Sequence, residues 1–345
     1  MKNQQKKRSS YFQFAGLTIL IVMFISVCSS DENDASIDQL VAEMSQRIET
    51  ITLAESENKI IPRFNQPKTI ACVNGQFRVH DNIPEQLRQG IFSQPGNYPA
   101  MLRFANATNR DDSKKDIRGL SIRLANVQGP VLWGEPGYQD FVLNSYPALF
   151  VATPEEFLAF IRARQEDKKL SFFLNPFDSH LKSLWIVIKA RKTHMSPLDI
   201  RYWSTVPFQL GESGVKAVKY SVIPCSGYKT EEAVNPGKNQ LRSAIKTHLE
   251  QEPACFNFAL QTQTNEQSMP IEDASVIWDE KLSPFQTVAT IMIENQDFDN
   301  PESLAICERS SFNPWQSLTA HKPLGRMNQV RRQVYSNAAK LRNKE

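Results

Sequence analysis

The sequence lacks the short motifs that mark the commonest enzymes. It has no GxSxG, no Walker A loop, no Rossmann glycine fingerprint and no HExxH. A hydrolase, nucleotide-binding or metal-hydrolase reading therefore lacks its parts. Histidine is scarce, with five scattered singly, and each is expected at a surface or structural position. No CxxC and no Cys/His cluster with zinc spacing occurs. With Cys28 set aside, Cys72, Cys225, Cys255 and Cys307 remain. An even number permits two disulfides in an oxidising compartment without implying them, and the expectation is buried, unpaired core thiols. No excess of one charge stands out, with 40 Lys and Arg against 37 Asp and Glu. Nucleic acid is thus not an expected partner. Internal repeats and low-complexity tracts are absent.

What the sequence does have begins at its N-terminus. Lys2, Lys6, Lys7 and Arg8 precede an apolar run from Tyr11 to Cys28, broken only by Gln13, Thr18 and Ser26. A basic head before an apolar stretch is the layout of an export signal. The run also nearly reaches the roughly 20 residues that span a bilayer, with the basic residues kept on the cytoplasmic side. Cys28 follows Ile25-Ser26-Val27 as an imperfect lipobox. Residues 1–28 are read as a signal peptide or membrane anchor, through either a lipid-attached Cys28 or an uncleaved span. The rest is expected on an exported, periplasmic face.

Residues 29–59 read as a polar tether and an amphipathic arm, with Ile37, Leu40, Val41, Met44, Ile48 and Ile51 at helical spacing. Residues 60–345 read as one domain. Strands are expected at Thr69–Val79, Ala100–Ala105, Gly119–Leu124, Asp140–Leu143, Val215–Ile223, Cys255–Gln261 and Thr287–Ile293. A short helix is expected at Pro84–Gly90, a helix at Pro154–Arg164 with a first-turn proline, a partly helical apolar stretch at Leu170–Ala190, and a long helix at Arg326–Arg342. This pattern predicts an α+β fold, an antiparallel β-barrel with helical additions.

On the last helix Arg331 and Tyr335 stand four residues apart and share a face. A nearby guanidinium favours phenolate over phenol, and phenolate is a hard, anionic iron ligand. By itself such a pair is most often a surface stack, but six blocks give it context. The segment from Ser311 through Phe312-Asn313-Pro314 to Tyr335 resembles the catalase segment in which an FDP-like turn precedes an arginine and the proximal tyrosine. In chain order before it come Asn74-Gly75-Gln76-Phe77-Arg78-Val79, then Tyr98-Pro99 to Arg103-Phe104, then Asp116-Ile117-Arg118-Gly119. Asp140 to Phe150 and the pair Tyr202-Trp203-Ser204 with Met269 to Trp278 complete the set. Together they resemble the catalase-like haem protein superfamily, in particular a small catalase-related clade, over roughly Ile60 to Arg342.

The resemblance implies a catalase-like barrel, haem b as cofactor, and a peroxide or organic (lipid) hydroperoxide as the small-molecule partner. It implies Tyr335 as the metal ligand, Arg331 as the residue that keeps it phenolate, Arg63 and Arg103 as haem-propionate arginines, and Phe157 as the aromatic over a pyrrole. The distal side departs from the pattern. Three residues after Arg63, where catalases carry histidine, stands Gln66, and no histidine lies between Ile60 and Val79. The distal asparagine position falls on Asn144 or Ser145, whose side chains point to opposite faces of a strand. Gln66, Asn144 and Ser145 are thus the candidate catalytic residues, and true catalase activity is not expected. The chain is too short for the extra C-terminal domain of large catalases, and the interlocking of tetrameric ones is not expected.

Overall fold

The computed structural model describes residues 36–343 except 59, 178, 213–215 and 226–228. The apolar run and Cys28 lie outside the described residues, and among the described ones no helix is long and apolar enough to cross a membrane. Residues 36–54 form helix α1. Its apolar stripe, Leu40, Met44, Ile48 and Ile51, packs on Leu158, Ile161, Val330 and Val334.

Eight antiparallel strands close a barrel: β1 (Lys68–Val79), β2 (Gly96–Asn106), β3 (Arg118–Ala125), β5 (Tyr138–Asn144), β6 (Tyr202–Trp203), β8 (Lys216–Pro224), β9 (Ala254–Thr262) and β10 (Gln286–Ile293). The two-residue strand β6 makes the closure, pairing Asn144 with Trp203 on one side and Tyr202 with Val222 on the other. Short strand β7 (Phe208–Leu210) pairs with β8, and β4 (Val131–Trp133) and β11 (Ser317–Leu318) form a separate two-stranded sheet. Leu120, Ile122, Leu124, Phe141 and Leu143 alternate inward. The lumen is filled by Phe77, Phe141, Tyr220 and Phe258, with ring centroids as close as 4.8 Å. A barrel packed this way has no room for a cofactor, so any site must lie on its outside.

The helices are α2 (Pro154–Gln165), α3 (Lys169–Leu174), α4 (Leu181–Ala190), α5 (Gln240–Gln251), α6 (Pro301–Arg309) and α7 (Arg326–Arg342). Helix α2 starts as its sequence dictates: Thr153 accepts from the Glu156 N–H at 3.3 Å and Pro154 occupies the first turn. The segment expected as a helix from Pro84 to Gly90 holds only 3-10 turns, Glu85–Leu87 and Gly90–Phe92. Gly90, at φ +55°, explains the break. A Cβ there would fall 2.2 Å from His321 Nε2, so the chain turns tightly against that ring. Helices α5 and α6 were not foreseen.

The expectation of unpaired thiols is overturned. Cys72 pairs with Cys307 and Cys225 with Cys255, at Cα separations of 6.1 and 5.4 Å, within bridging range. Cys307 lies on a helix that was not foreseen, and Cys225 and Cys255 sit at the paired ends of two expected strands, β8 and β9, whose pairing the sequence did not give. Cys72–Cys307 ties α6 to β1 across 235 residues. Cys72→Ser is expected to lower stability by about 2–4 kcal/mol, seen as an earlier denaturant midpoint without reductant and a smaller gap from the native chain once reductant opens both disulfides.

Buried His321 accepts the Ile91 N–H at Nε2, 3.0 Å away. Burial pushes its pKa from 6.5 down to about 4. Above pH 6.5 neither folded nor unfolded chain protonates it; as pH falls towards 4, only the unfolded chain gains the proton. Stability should drop by up to about 3 kcal/mol across that window. Urea titrations at several pH values check this, and His321→Gln should flatten part of the slope.

Candidate functional site on the outer barrel wall

Residues that alternate with the lumen side chains form an outer wall across β2, β3 and β5. Gly119 lies opposite Asn144, Ser121 lies between Arg103 and Val142, and Arg123 lies opposite Asp140. The middle of this wall is floored by small side chains, and its ends carry the polar groups.

One end is a distal-type cluster. Gln66 sits just before β1 with φ +60°, a left-handed conformation uncommon for a non-glycine residue. It is held there by its N–H to Ala107 O at 3.1 Å and by Arg103 Nη2, which donates to Gln66 O at 2.8 Å. Gln66 Nε2 donates to Asn144 Oδ1 at 3.4 Å, and Arg103 Nη1 donates to Gln66 Oε1 at 3.3 Å. Gly119 provides the seat, since a Cβ there would fall 2.1 Å from Gln66 Nε2. Asn144 is thus the member of the 144/145 pair that meets Gln66. Ser145 turns instead to Arg118, accepting its N–H at Oγ, 2.9 Å. The reason is strand alternation at the end of β5.

At the other end, buried Asp140 accepts Arg123 Nε at 2.7 Å and Nη2 at 2.8 Å, and the Asn313 N–H at 2.9 Å. Burial raises the pKa of Asp140, and Arg123 opposes that shift. Asn313 Nδ2 donates to Arg332 O at 3.0 Å, and Trp315 Nε1 donates to Asn328 O at 2.6 Å. The Phe312–Trp315 turn therefore grips α7 and hangs it from the barrel wall.

On α7, Arg331 Nη2 donates to Tyr335 Oη at 3.2 Å and its guanidinium carbon lies 5.1 Å from the ring centre. Arg331 Nη1 donates to Asn328 Oδ1 at 2.9 Å, and Asn328 Nδ2 is anchored on Pro207 O at 3.0 Å. Tyr335 is half-buried. It lines a cavity of about 560 Å³ with Arg123, Trp133, Phe312, Asn313 and Gln316. The described lining of that cavity does not include Gln66 or Asn144. Phe157, on α2, packs with Phe64, Val330 and Val334 and edge-on to Phe150.

Arg63 and Arg103 meet a third arginine that sequence reading missed. Arg342 lies two turns beyond Tyr335 on the same face of α7, and that i+7 spacing was the available signal. Arg63 Nη2 and Arg342 Nη2 both donate to Ser310 O, at 2.8 and 3.1 Å. The carboxylate within reach is Glu308, bonded to Thr69 Oγ1 and 3.8 Å from Arg63 Nε. Burial, then the neighbouring Arg103 and Arg342, pushes Arg63 well below the usual guanidinium pKa. Burial brings Arg103 down to about 10 and lowers Arg342. Buried Arg63 Nε and Arg342 Nε lack a hydrogen-bond partner. Three sequestered cations sharing one carboxylate, with two orphaned donors, are short of negative charge. Porphyrin carboxylates meet that shortage and a tyrosine supplies an iron ligand, so the residues present fit a haem.

The histidines are engaged elsewhere. His80 bonds Thr290 Oγ1 at 2.8 Å and His180 bonds Phe172 O at 3.0 Å. His194 lies beside Arg118, His248 is on α5, and His321 is in the core.

Comparison with known proteins places this arrangement. Residues 32–194 match the family model described as Catalase. An allene oxide synthase-lipoxygenase protein of Plexaura homomalla is 24% identical over 260 residues, covering 67% of this chain and 23% of that protein. Catalase T of Saccharomyces cerevisiae is 22% identical over 277 residues, covering 69% of this chain and 47% of that protein. The chain thus spans under half the length of these curated relatives. Catalase A from Saccharomyces cerevisiae superposes with a TM-score of 0.67 at 18% identity, covering 83% of this chain and 62% of its own. A bacterial catalase gives 0.66 at 17% identity, covering 83% and 58%. The family model described as Catalase thus matches just under half of the chain, residues 32–194, and the fold is the one that these solved catalases share.

Proposed function

We propose that this chain is an exported haem protein that acts on peroxides or organic hydroperoxides and does not rapidly dismutate hydrogen peroxide. The observation that carries the haem assignment is the cluster of buried Arg103 with half-buried Arg63 and Arg342, served by one exposed carboxylate, Glu308, on the flank of the helix that presents the Arg331–Tyr335 pair. Tyr335 holds the iron through its phenolate oxygen, Arg331 stabilises that anion, and the three arginines pair with the carboxylates. Bound haem supplies an iron centre that exchanges electrons with a peroxide oxygen.

The limit on turnover lies in Gln66. Splitting a peroxide requires a proton to pass from the near oxygen to the far one. An amide orients a peroxide or water by hydrogen bonding but does not titrate near neutrality, whereas imidazole does. The Gln66–Asn144 pair therefore positions a substrate without shuttling its proton. The same substitution favours a second reading, a haem carrier without turnover. The organic hydroperoxide reading draws on the allene oxide synthase-lipoxygenase relative and on the small catalase-related clade. Export is supported by the two disulfides, which persist in oxidising compartments, and by the basic-then-apolar N-terminus, which we propose anchors the chain on the periplasmic side of a membrane.

Haemin added to the purified protein should give a Soret band characteristic of tyrosinate ligation, and Tyr335→Phe should abolish it. An unchanged band in that variant would remove Tyr335 as ligand. Oxygen release from hydrogen peroxide should be low in the native protein and rise about 10²-fold or more in Gln66→His, a residue type tolerated at φ near +60°. Native release as fast as the variant's would defeat the distal argument. Consumption of a fatty-acid hydroperoxide by the native protein separates the enzyme from the carrier.

A further inference from the structure

Helices α3 and α4 form a hairpin whose outer surface has no partner among the described residues. Phe172, Phe173, Ile186 and Ala190 face inward and are buried. Leu170, Leu174, Phe177, Leu181, Trp185 and Ile188 face outward, Phe177 97% and Trp185 58% exposed. These are six of the eleven large apolar side chains exposed among the described residues, gathered within twenty positions. Leu181, Trp185 and Ile188 follow i, i+4, i+7 spacing, so one whole face of α4 is apolar and wet. Singly scattered exposed apolar residues need no explanation, but a contiguous crest does.

Charge decides what covers it. Residues 168–192 carry six cations (Lys168, Lys169, Lys182, Lys189, Arg191 and Lys192) and one carboxylate, while the whole chain has 40 cations against 37 anions. The hairpin is therefore a local patch of positive charge in a chain that is nearly balanced as a whole. Lys189 Nζ lies 4.7 Å from the Trp185 ring centre. Lys168 pairs with Glu166 at 3.0 Å and Lys182 with Asp273 at 3.6 Å, both on the surface, where such pairs are weak and screened. Arg191 donates to Lys115 O at 3.1 Å, which brings Lys114 and Lys115 to the same rim. A second copy would set one cationic rim against another in a two-fold contact. An anionic lipid surface complements both features: apolar side chains enter the interface while lysine stems carry their charges to the headgroups.

We infer that the α3–α4 hairpin docks on the surface of an anionic bilayer, lying in the interface rather than crossing it. This stands apart from the haem assignment and from the N-terminal apolar run.

Hydrogen–deuterium exchange on the full chain tests it. The N-terminal run is the same in every variant, so the readout is local exchange within residues 168–192. Vesicles containing phosphatidylglycerol should slow that exchange about 10-fold, and vesicles of phosphatidylcholine alone should do so far less. Phe177→Ser with Trp185→Ser should remove the protection, with far-UV circular dichroism unchanged because both positions are exposed. Lys168, Lys169, Lys182 and Lys189 changed together to Gln should make the two vesicle types equivalent. No protection with either vesicle overturns the proposal. So does protection that grows with protein concentration in the absence of lipid, which would make a second copy the occupant.

Discussion

Asp140 is fully buried on the outer wall of the barrel, and its two oxygens are shared between Arg123 on the next strand and the main chain of Asn313. Through Asn313 and Trp315 that one carboxylate positions α7, and α7 carries Arg331, Tyr335 and Arg342. A buried carboxylate is tolerable only when its partners are in place, because an uncompensated charge in such surroundings costs several kcal/mol. The pair, the turn and the helix therefore form as a unit. The two clusters on the wall thus come from both ends of the domain: Gln66 precedes the first strand, and Tyr335 lies on the last helix.

The filled lumen explains why the site is outside. Aromatic side chains from five strands meet inside the barrel, which leaves only the outward-facing positions of β2, β3 and β5 for chemistry. On that wall the period of two places Gly119, Ser121 and Val142 side by side as a low floor. Gly119 has a second duty there, since any side chain would displace the Gln66 amide. The structure thus supports the distal amide with a residue that does no chemistry itself.

The distal and cationic clusters share Arg103. Its Nε holds Thr69, its other two nitrogens hold Gln66, and its charge is felt by Arg63. Thr69 in turn bonds Glu308, on the helix clamped to β1 by Cys72–Cys307. One buried guanidinium therefore joins the Gln66–Asn144 pair to the arginine cluster.

Much of this was legible in the residues. The strands β1, β2, β3, β5, β8, β9 and β10 were expected close to where they lie, Pro154 marked the start of α2, and the spacing of Arg331 and Tyr335 placed them on one helical face. The ordered blocks carried the family. Tertiary structure alone decided which of Asn144 and Ser145 meets Gln66, because a one-residue choice at a strand end depends on the neighbouring strand's register. It paired the cysteines, because Cys307 lies on an unforeseen helix and Cys225 meets Cys255 only through the pairing of β8 with β9. It also brought Arg342 to Arg63 across most of the chain. Local periodicity records which face of an element a residue occupies. Only the closing of the barrel and the docking of α7 determine what that face meets.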